Sequence, residues 1–456
     1  MRFRPLITPA LFSPRTPPNR EKREKARTPP LGPPLPVGGS AVGEGTGVRA
    51  REGGLLLLLA SLLLLAACGK DKAPPSSAGL LAQPWPDIER QARGQTVTLA
   101  MWMGDPYINK YIADYLAPNV KQRYGVNLDV VSAQGGQIIS MLMTEIEARK
   151  PQSGFDLMWI NGETFYQLRQ IDALFGPFTD KLPNAKNIDF KNPFIRYDFQ
   201  QEVNGYECPW GNVQLAILYN SARVPDPPRT RDQLAAWVKA HPGRFTFDNT
   251  FTGMTFLKSL LIDMAGGPGS LDGPFDEAKY QRVSAELWKY INDIKPYFWK
   301  NGETFPASVA QLHQLFAAGE VDFTMSNNDG EVDNKVLQGL LPETSRAFVL
   351  DGGTIQNSHY MGIPERAPHL AGALVTVNFM ISPEAQYEKL KPAVWGDGTV
   401  LDVARLPAEW QAKFADVPQR RFSPKRADIQ PKALREPASE YMIRISDDFR
   451  KQVLEK

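Results

Sequence analysis

Apolar runs alternate with helical patterns from Trp85 onward. Short runs rich in branched and aromatic residues, such as Gln95–Met103 (QTVTLAMWM), predict strands. Within Tyr107–Tyr124, apolar side chains recur every three or four residues, which predicts a helix. Strands that alternate with helices predict right-handed βαβ units on a parallel sheet. The next elements are predicted as strands at Val126–Val131 and Phe155–Ile160 and helices at Gly136–Lys150 and Phe165–Ile171.

The second half of the chain contains segments that we interpret as crossings between two lobes. The extended run Val203–Tyr219 is interrupted by Pro209-Trp210-Gly211, where the chain is predicted to enter a second lobe. Short strands at Phe348–Leu350 and His359–Ile363 are predicted to return it to the first lobe. The remaining predicted elements are helices at Thr230–Ala240, Gly253–Ala265, Asp276–Ile294, Val309–Ala318, Leu370–Met380, Ala408–Phe414 and Ser439–Lys456, and strands at Arg244–Phe247 and Val321–Met325.

Four predicted strands end in polar loops, and these loops supply the candidate ligand site. In open parallel sheets ligands bind beyond the carboxyl ends of the strands, and Gly in such loops lets the backbone approach a ligand. Tryptophans add aromatic surface near these edges, and one histidine lies in a predicted return strand. The candidate ligand-binding residues are Trp102, Gly104, Asp105, Asn161, Gly162, Glu163, Trp210, Asp248, Thr252, Asn327, Asn328, Asp329 and His359.

Each of these loops also has a purely structural interpretation. Asp105 before Pro106 is a good N-cap with Pro at the first helical position. Glu163 and Glu331 favour a helix N-terminus through the macrodipole. No G-x-S-x-G elbow, H-E-x-x-H helix or P-loop is found in the sequence, and the four histidines have no metal-ligand spacing. We therefore predict a binding protein without catalytic residues, metal or cofactor.

The first 67 residues differ in composition from the rest of the chain. They hold ten basic and four acidic residues, which leaves 42 basic and 46 acidic residues in 68–456. The net charge of +2 for the whole chain therefore hides a mildly acidic body, which argues against a nucleic-acid binder. Arg49 and Arg51 precede the apolar stretch Leu55–Ala67, whose 13 residues are short for a bilayer span of about 20. This pattern predicts a secretory signal peptide, with an uncleaved signal anchor as the alternative.

The end of this leader predicts a lipid anchor. Leu65-Ala66-Ala67-Cys68 resembles a bacterial lipobox, which implies cleavage before Cys68 and lipidation of its thiol. Residues 68–84 then form a flexible tether, and the protein faces the periplasm or the cell exterior. Because 48 residues precede the basic flank, we hypothesise that translation starts downstream, for example at Val48. The other cysteine, Cys208, is expected to be a buried, unreactive thiol.

Several strings in the body resemble the extracellular solute-binding proteins of ABC importers. Phe155-Asp156-Leu157 before a Trp-containing strand and the helix of 371–386 (AGALVTVNFMISPEAQ) resemble family 1 of these proteins. The strings WINGE at 159–163 and PWG at 209–211 are more specific and resemble the YnjB branch. The lipobox departs from the ordinary cleavable signal expected of that branch.

The resemblance implies a two-lobed α/β fold of the type II periplasmic-binding-protein class. Each lobe is then a mainly parallel sheet flanked by helices, with the ligand cleft between the lobes. The expected boundaries are 85–208 for the first part of lobe 1, 209–345 for lobe 2, 346–381 for the return to lobe 1, and 382–456 for a C-terminal helical segment. The implied partners are a small solute, a membrane permease and its ATPase, and we expect a monomer.

The resemblance does not give the ligand, so its class is inferred from the residues. The strand-end loops carry five acids and no Lys or Arg, and two tryptophans lie nearby, which favours an organic cation of thiamine-like or polyamine-like type. An anionic or sugar solute is the alternative, because Gly-rich loops at helix N-termini suit an anion. An exported lipid-anchored hydrolase and a lipoprotein without a transport role are the alternatives from other classes.

Overall fold

The computed structural model describes residues 77–455. The predicted leader 1–67, the lipidation site Cys68 and the tether as far as residue 76 lie outside the described residues. Within 77–455, none of the helices is both long enough and apolar enough to cross a bilayer.

The strands of the described chain are β1 Thr96–Met101, β2 Asn127–Ser132, β3 Leu157–Ile160, β4 Tyr197–Asp198, β5 Gln201–Glu202, β6 Glu207–Gln214, β7 Ala216–Asn220, β8 Phe323–Ser326, β9 Ser345–Phe348, β10 Thr354–Gly362 and β11 Ala433–Leu434. They form a larger sheet of order β11-β10-β3-β1-β2, in which β6 also pairs with β10, a smaller sheet of order β8-β7-β9, and the hairpin β4-β5.

The α-helices are α1 Ser77–Leu81, α2 Trp85–Ala92, α3 Pro106–Tyr111, α4 Ala117–Tyr124, α5 Gly135–Glu147, α6 Gly162–Gln170, α7 Pro193–Arg196, α8 Arg231–Ala240, α9 Phe251–Met264, α10 Glu277–Ile294, α11 Val309–Ala317, α12 Glu331–Leu337, α13 Leu370–Met380, α14 Pro383–Leu390, α15 Ala408–Ala415, α16 Arg426–Ile429 and α17 Ser439–Phe449. Single 3₁₀ turns lie at Thr179–Lys181, Pro183–Asn187, Lys295–Tyr297, Trp299–Gly302, Val403–Arg405 and Gln430–Lys432, and π-helical turns at Ile112–Leu116 and Arg450–Leu454.

The larger sheet contains the predicted βαβ units. Strand β1 runs parallel to β2 on one side and to β3 on the other. Strand β10 is antiparallel to β3 and β6 and parallel to β11. The helix predicted for 107–124 is continuous from α3 to α4, and the π-helical turn at Ile112–Leu116 joins the two. The two-lobed α/β class predicted from the sequence is confirmed.

The smaller sheet corrects one detail of that prediction, because it is antiparallel throughout. Strand β7 lies between β8 and β9, and both run opposite to it. Alternation of strands with helices does not reveal this, since helices can also connect antiparallel strands. The strand predicted at Arg244–Phe247 is wrong as well. This segment is extended and its two phenylalanines are buried, but its carbonyls accept from Trp299 N and Asp322 N in loops beyond the sheet.

Two adjacent segments connect the two sheets. Strand β6 ends at Gln214 and β7 begins at Ala216, so Leu215 alone separates a strand of the larger sheet from one of the smaller sheet. Residues 349–353 return the chain from β9 to β10. The two segments touch where Leu215 N donates to Ile355 O at 2.8 Å. The chain thus leaves the larger sheet at Leu215, four residues after the Pro-Trp-Gly interruption.

Each sheet has its own hydrophobic core. The core of the larger sheet includes Leu99, Leu157 and the fully buried helix α13. The core of the smaller sheet is built around α9, with Phe245, Phe247 and part of α17 packed against it. Strand β11 and helix α17 carry the C-terminal chain across both lobes, because β11 pairs with β10 while α17 contacts α6 and α9. The loops after β1 and β3 therefore lie on the lobe of the larger sheet, and the loop after β8 lies on the lobe of the smaller sheet.

Candidate functional site

The loop after β1 carries Asp105, whose carboxylate is held by two sets of partners. Its Oδ1 accepts from Tyr107 N at 2.7 Å and from Ile108 N at 3.1 Å, as an N-cap of α3 does. Its Oδ2 bonds the ammonium of Lys335 on α12, and both side chains are buried. The structural interpretation of Asp105 as an N-cap is thus confirmed, and the contact with Lys335 joins the loop after β1 to the lobe of the smaller sheet.

Lys335 is the centre of a buried polar cluster on α12. Its Nζ lies 3.3 Å from Glu331 Oε1, and Glu331 Oε2 lies 3.6 Å from His313 Nε2. Burial lowers the pKa of Lys335, but Glu331 and Asp105 outweigh it and hold that pKa above the ordinary value. Burial likewise works against the charge on Glu331, and Lys335 and His313 outweigh it and hold the pKa of Glu331 well below its usual range. Lys335 and Glu331 are therefore held in their charged forms and paired with each other.

Asp329, after β8, is also paired with bases. It is 1% exposed, Arg420 bonds its Oδ2, and Arg426 Nη1 lies 3.1 Å from its Oδ1. Gln214 N donates to Oδ1 at 3.0 Å, at the point where β6 leaves the larger sheet. Burial would raise the pKa of Asp329, but the two guanidinium groups hold it below its usual value. This acid is fully engaged within the protein.

Two of the candidate acids have no direct Lys or Arg partner among the described residues. Asp248 is fully buried; its Oδ1 accepts from Thr250 N at 3.0 Å, and its Oδ2 has no partner in the described chain. Glu163, in the first turn of α6, accepts from Gln167 Nε2 at 3.3 Å. Burial raises the pKa of both carboxyls, and for Glu163 it does so against the attraction of Lys258. A cation bound beside either carboxyl would favour its charged form.

The amide residues of the candidate set carry unused hydrogen-bonding atoms. Asn327 Nδ2 donates to Thr252 Oγ1 at 3.1 Å, so the end of β8 meets the first turn of α9. Among the described residues, Asn327 Oδ1 and Asn328 Nδ2 are buried without partners. On the larger sheet, Asn161 Oδ1 accepts from Thr164 Oγ1 at 3.3 Å. Buried amides left in this way are usually completed by water or by a ligand.

Two of the candidate glycines are required by close contacts. A Cβ on Gly162 would lie 2.0 Å from the Phe199 ring, and a Cβ on Gly104 would lie 2.4 Å from the ring of Trp102. Trp102 itself is half-buried after β1, at the edge of the larger sheet's core. The residues of these loops are therefore fixed by packing.

Trp210 and His359 lie in an aromatic cluster within the protein. Trp210 is 1% exposed and packs edge-on against Trp159 at a centroid distance of 4.9 Å. His359 stacks on Trp395 at 5.9 Å, and its Nε2 lies 3.1 Å from Asp397 Oδ2. These two candidates are thus brought together with each other. Their cluster adjoins α12, because Asn334 Nδ2 donates to Val394 O at 3.3 Å, beside Trp395.

Four basic residues that were not among the candidates lie beside the acidic loops. They are Lys335, Arg420 and Arg426, which pair with the candidate acids, and Lys258, which is fully buried on α9 with Nζ 2.5 Å from Glu436 Oε2. Lys258 had a signal in the sequence, because it is the one charged residue within the apolar run at 251–262. The other three lie more than 90 residues from Asp105 or Asp329, and only the pairing of Lys335 with Glu331, four residues earlier on α12, is local.

Comparison with known proteins identifies the family. Residues 110–418, more than half of the chain, match the model of a bacterial extracellular solute-binding protein family. Protein YnjB of Escherichia coli K12 is 38% identical over 330 residues, which cover 72% of this chain and 84% of that protein.

Solved structures with the same fold include solute-binding proteins of several bacteria. The Tp0655 (TpPotD) lipoprotein of Treponema pallidum aligns with a TM-score of 0.58 at 16% identity, over 79% of this chain and 100% of that one. A putative spermidine/putrescine ABC transporter protein of Listeria monocytogenes gives 0.56 at 18% identity, over 79% and 99%. AfuA of Actinobacillus pleuropneumoniae, with fructose-6-phosphate bound, gives 0.56 at 13% identity, over 79% and 99%. The chain belongs to the bacterial extracellular solute-binding proteins and has their two-lobed α/β fold.

Proposed function

We propose that this protein is the substrate-binding subunit of an ABC importer. In this role it captures a small solute between its lobes and delivers it to a membrane permease that a cytoplasmic ATPase drives. The observation that carries the proposal is family membership together with two sheets that meet through the short connections at Leu215 and 349–353. A short hinge lets the lobes close, and a solute that contacts both lobes favours the closed state.

The proposed ligand site lies between the loops of the two lobes. Trp102, Gly104 and the loop at 161–163 contribute from the larger sheet, and Asp248, Thr252 and the loop at 327–328 from the smaller one. Asp105 and Asp329 hold these loops in place through Lys335, Arg420 and Arg426. We keep Trp210 and His359 as proposed contributors, which reach the solute only if the aromatic cluster opens toward it.

We propose an organic cation as the solute. The support is narrower than the sequence suggested, because three of the five strand-end acids are neutralised by bases of the protein. Glu163 and Asp248 remain, and burial raises the pKa of each, so a cationic solute would supply the counter-charge that they lack. Relatives named for spermidine and putrescine share the fold, but so does one with a sugar phosphate bound, so the fold alone does not decide between these classes.

Thermal shift and calorimetry on the purified protein test this proposal. We expect thiamine, putrescine or spermidine to raise the melting temperature, since a ligand at 100 times its Kd adds about 2.7 kcal/mol of stability. Glu163→Gln and Asp248→Asn should each weaken that binding at least tenfold. Glu409→Gln, which changes a 71% exposed acid on α15, is the matched control. A melting shift with sugar phosphates or carboxylates and none with amines contradicts the cation.

We further propose that the mature protein is a monomeric lipoprotein held at the membrane through Cys68. The support is the lipobox of the sequence and the extracellular setting of the family. Replacing Cys68 with Ser in the native host should move the protein from the membrane fraction to the soluble fraction without changing solute binding. Retention of Cys68→Ser in washed membranes would contradict lipid anchoring.

A further inference from the structure

A small cavity lies between the β4–β5 hairpin, β10 and the chain before α17. Its lining includes Asp198, Gln200, Gln356, Asn357 and Glu436. About 10 Å³ of the cavity is free, which is room for one water-sized group. The hairpin that encloses it turns at Phe199 and Gln200, which both have positive φ, as a two-residue type I′ turn requires.

Two residues that line the cavity carry buried acceptor oxygens without a partner. Asp198 is 3% exposed and its Oδ2 is unpartnered in the described chain; Gln356 is 5% exposed and the same holds for its Oε1. Gln356 Nε2 donates to Asn212 Oδ1 at 2.7 Å, which fixes the orientation of the amide. Acceptors of this kind are costly to bury without a donor, so the cavity is built for a group that donates hydrogen bonds.

The bases near the cavity leave several carboxyl oxygens there without a hydrogen-bond donor. Asp198 and Glu207 are both buried carboxyls, and both oxygens of Glu207 are unpartnered in the described residues. The nearby base Lys258 is committed to Glu436 at 2.5 Å and lies over the Phe199 ring at 4.1 Å. Arg435, on the rim, is paired with Asp272. Arg169 acts on Glu207 and Lys258 acts on Asp198, but neither base bonds the unpartnered oxygens.

We propose that this cavity is a subsite for a primary ammonium group, R–NH₃⁺, held by Asp198 and Gln356. An ammonium group matches a water molecule in size and donates three hydrogen bonds, whereas a methylated quaternary ammonium is too large and donates none. The subsite adjoins Glu163 through Lys258, whose charge acts on both Glu163 and Asp198. It deepens the proposed function, on which it rests, by assigning the solute a primary amine.

Binding of small ammonium ions tests the subsite directly. Calorimetry and thermal shift with ammonium and methylammonium chloride are compared with tetramethylammonium chloride at equal ionic strength. We expect the first two to raise the melting temperature in a saturable way and the third to have no effect. Asp198→Asn and Gln356→Met should each raise the Kd for methylammonium at least tenfold. Glu202→Gln, which changes a partly exposed acid of the same hairpin, should leave it unchanged.

The outcomes separate this subsite from the proposed function. Equal methylammonium binding by Asp198→Asn and the parent protein, or no effect of either small ammonium ion, overturns the subsite and leaves a water molecule as the occupant. If larger amines still bind in a Glu163-dependent way, cation capture stands without the subsite. Conversely, Asp198-dependent methylammonium binding in a protein that binds no larger amine supports the subsite and contradicts cation capture in the cleft. Asn at 198 keeps the shape of the neutral acid, and circular dichroism checks that the variant is folded.

Discussion

At the scale of single residues, the buried carboxyl of Glu207 makes stability depend on pH. Burial, and then the neighbouring Asp198, raise its pKa well above the usual range. The folded state thus keeps a proton that the unfolded chain releases near pH 4.3. The contribution of Glu207 to the free energy of unfolding is therefore most favourable below that pH, and it decreases as the pH rises toward the pKa of the folded state.

We therefore predict that Glu207 makes the free energy of unfolding of the parent protein decrease as the pH rises above about 4.3. Glu207→Gln should flatten this dependence, because a side chain without a proton to lose contributes none. Urea titrations at a series of pH values measure the slope, and Glu440→Gln, an acid on α17 that is partly exposed, is the control. The same slope in Glu207→Gln and the parent would mean that Glu207 is already ionised in the folded protein.

Gly211 shows how strictly a single position is constrained. A Cβ there would lie 1.8 Å from His359 Nε2 and 2.4 Å from Asp397 Oδ2. We predict that Gly211→Ala displaces His359 from the tryptophans and costs about 1–3 kcal/mol, as overpacking does. Gly136→Ala, with nothing within 4 Å of its Cβ, should be neutral or stabilising. Denaturant unfolding gives both values, and tryptophan fluorescence should change for Gly211→Ala alone.

At the scale of elements, Asp333 fastens the loop after α15 to α12. Its carboxylate accepts from the backbone N–H groups of Arg421 at 2.5 Å, Phe422 at 3.1 Å and Ser423 at 2.9 Å. Phe422 in turn packs into the core beneath the smaller sheet. We predict that Asp333→Asn, which loses acceptors and charge, speeds hydrogen exchange at 421–423 at least tenfold, about 1.4 kcal/mol in local stability.

The control for this prediction is Asp402→Asn. Asp402 caps a 3₁₀ turn through Ala404 N at 3.2 Å and is partly exposed, so it has the same chemistry in a less buried place. Its replacement should leave exchange at 421–423 unchanged. Equal exchange rates for these amides in Asp333→Asn and the parent would show that packing of Phe422, and not the carboxylate, holds the loop.

Elements with a clear period were predictable from the sequence, and long-range pairing was not. The pattern placed α13 at its observed bounds and α9 and α10 within two residues. Helix α10 buries one face, so its apolar residues recur every three or four positions, whereas α9 and α13 are buried nearly all round and form long apolar runs. The antiparallel pairing of β8 and β9 with β7 has no corresponding pattern in the sequence. The loops at 105 and 329 were identified as polar strand ends, and their acids were interpreted as candidate ligand contacts, with a helix cap as the alternative for Asp105. Nothing local in the sequence indicates that Lys335 and Arg426 reach them.

At the scale of the whole molecule, the pairing of Asp105 with Lys335 and of Asp329 with Arg420 and Arg426 changes how charge bears on function. Asp105 and Asp329 thus form ion pairs that connect segments distant in the chain, and these two acids carry no free negative charge for a solute. What remains for a solute is the small set of carboxyls whose pKa burial has raised, Glu163, Asp248 and Asp198. Burial disfavours the charged form of each of these carboxyls, and the proposed cationic solute would favour it.

Lys335 on α12 pairs with Asp105 after β1 and so connects the two lobes. Replacing it with Met leaves Asp105 and Glu331 buried without their ammonium partner, a loss of about 3–5 kcal/mol for one side of a buried pair. Because Asp105 follows β1 and Lys335 follows β8, the same change removes a bond between the lobes. We expect Lys335→Met to lower the urea midpoint and to raise the radius of gyration in solution scattering. The control Lys413→Met, at an exposed i,i+4 pair on α15, should change neither quantity. A Lys335→Met protein with a lower urea midpoint and an unchanged radius of gyration would mean that Lys335 only holds α12 in place and does not hold the lobes together.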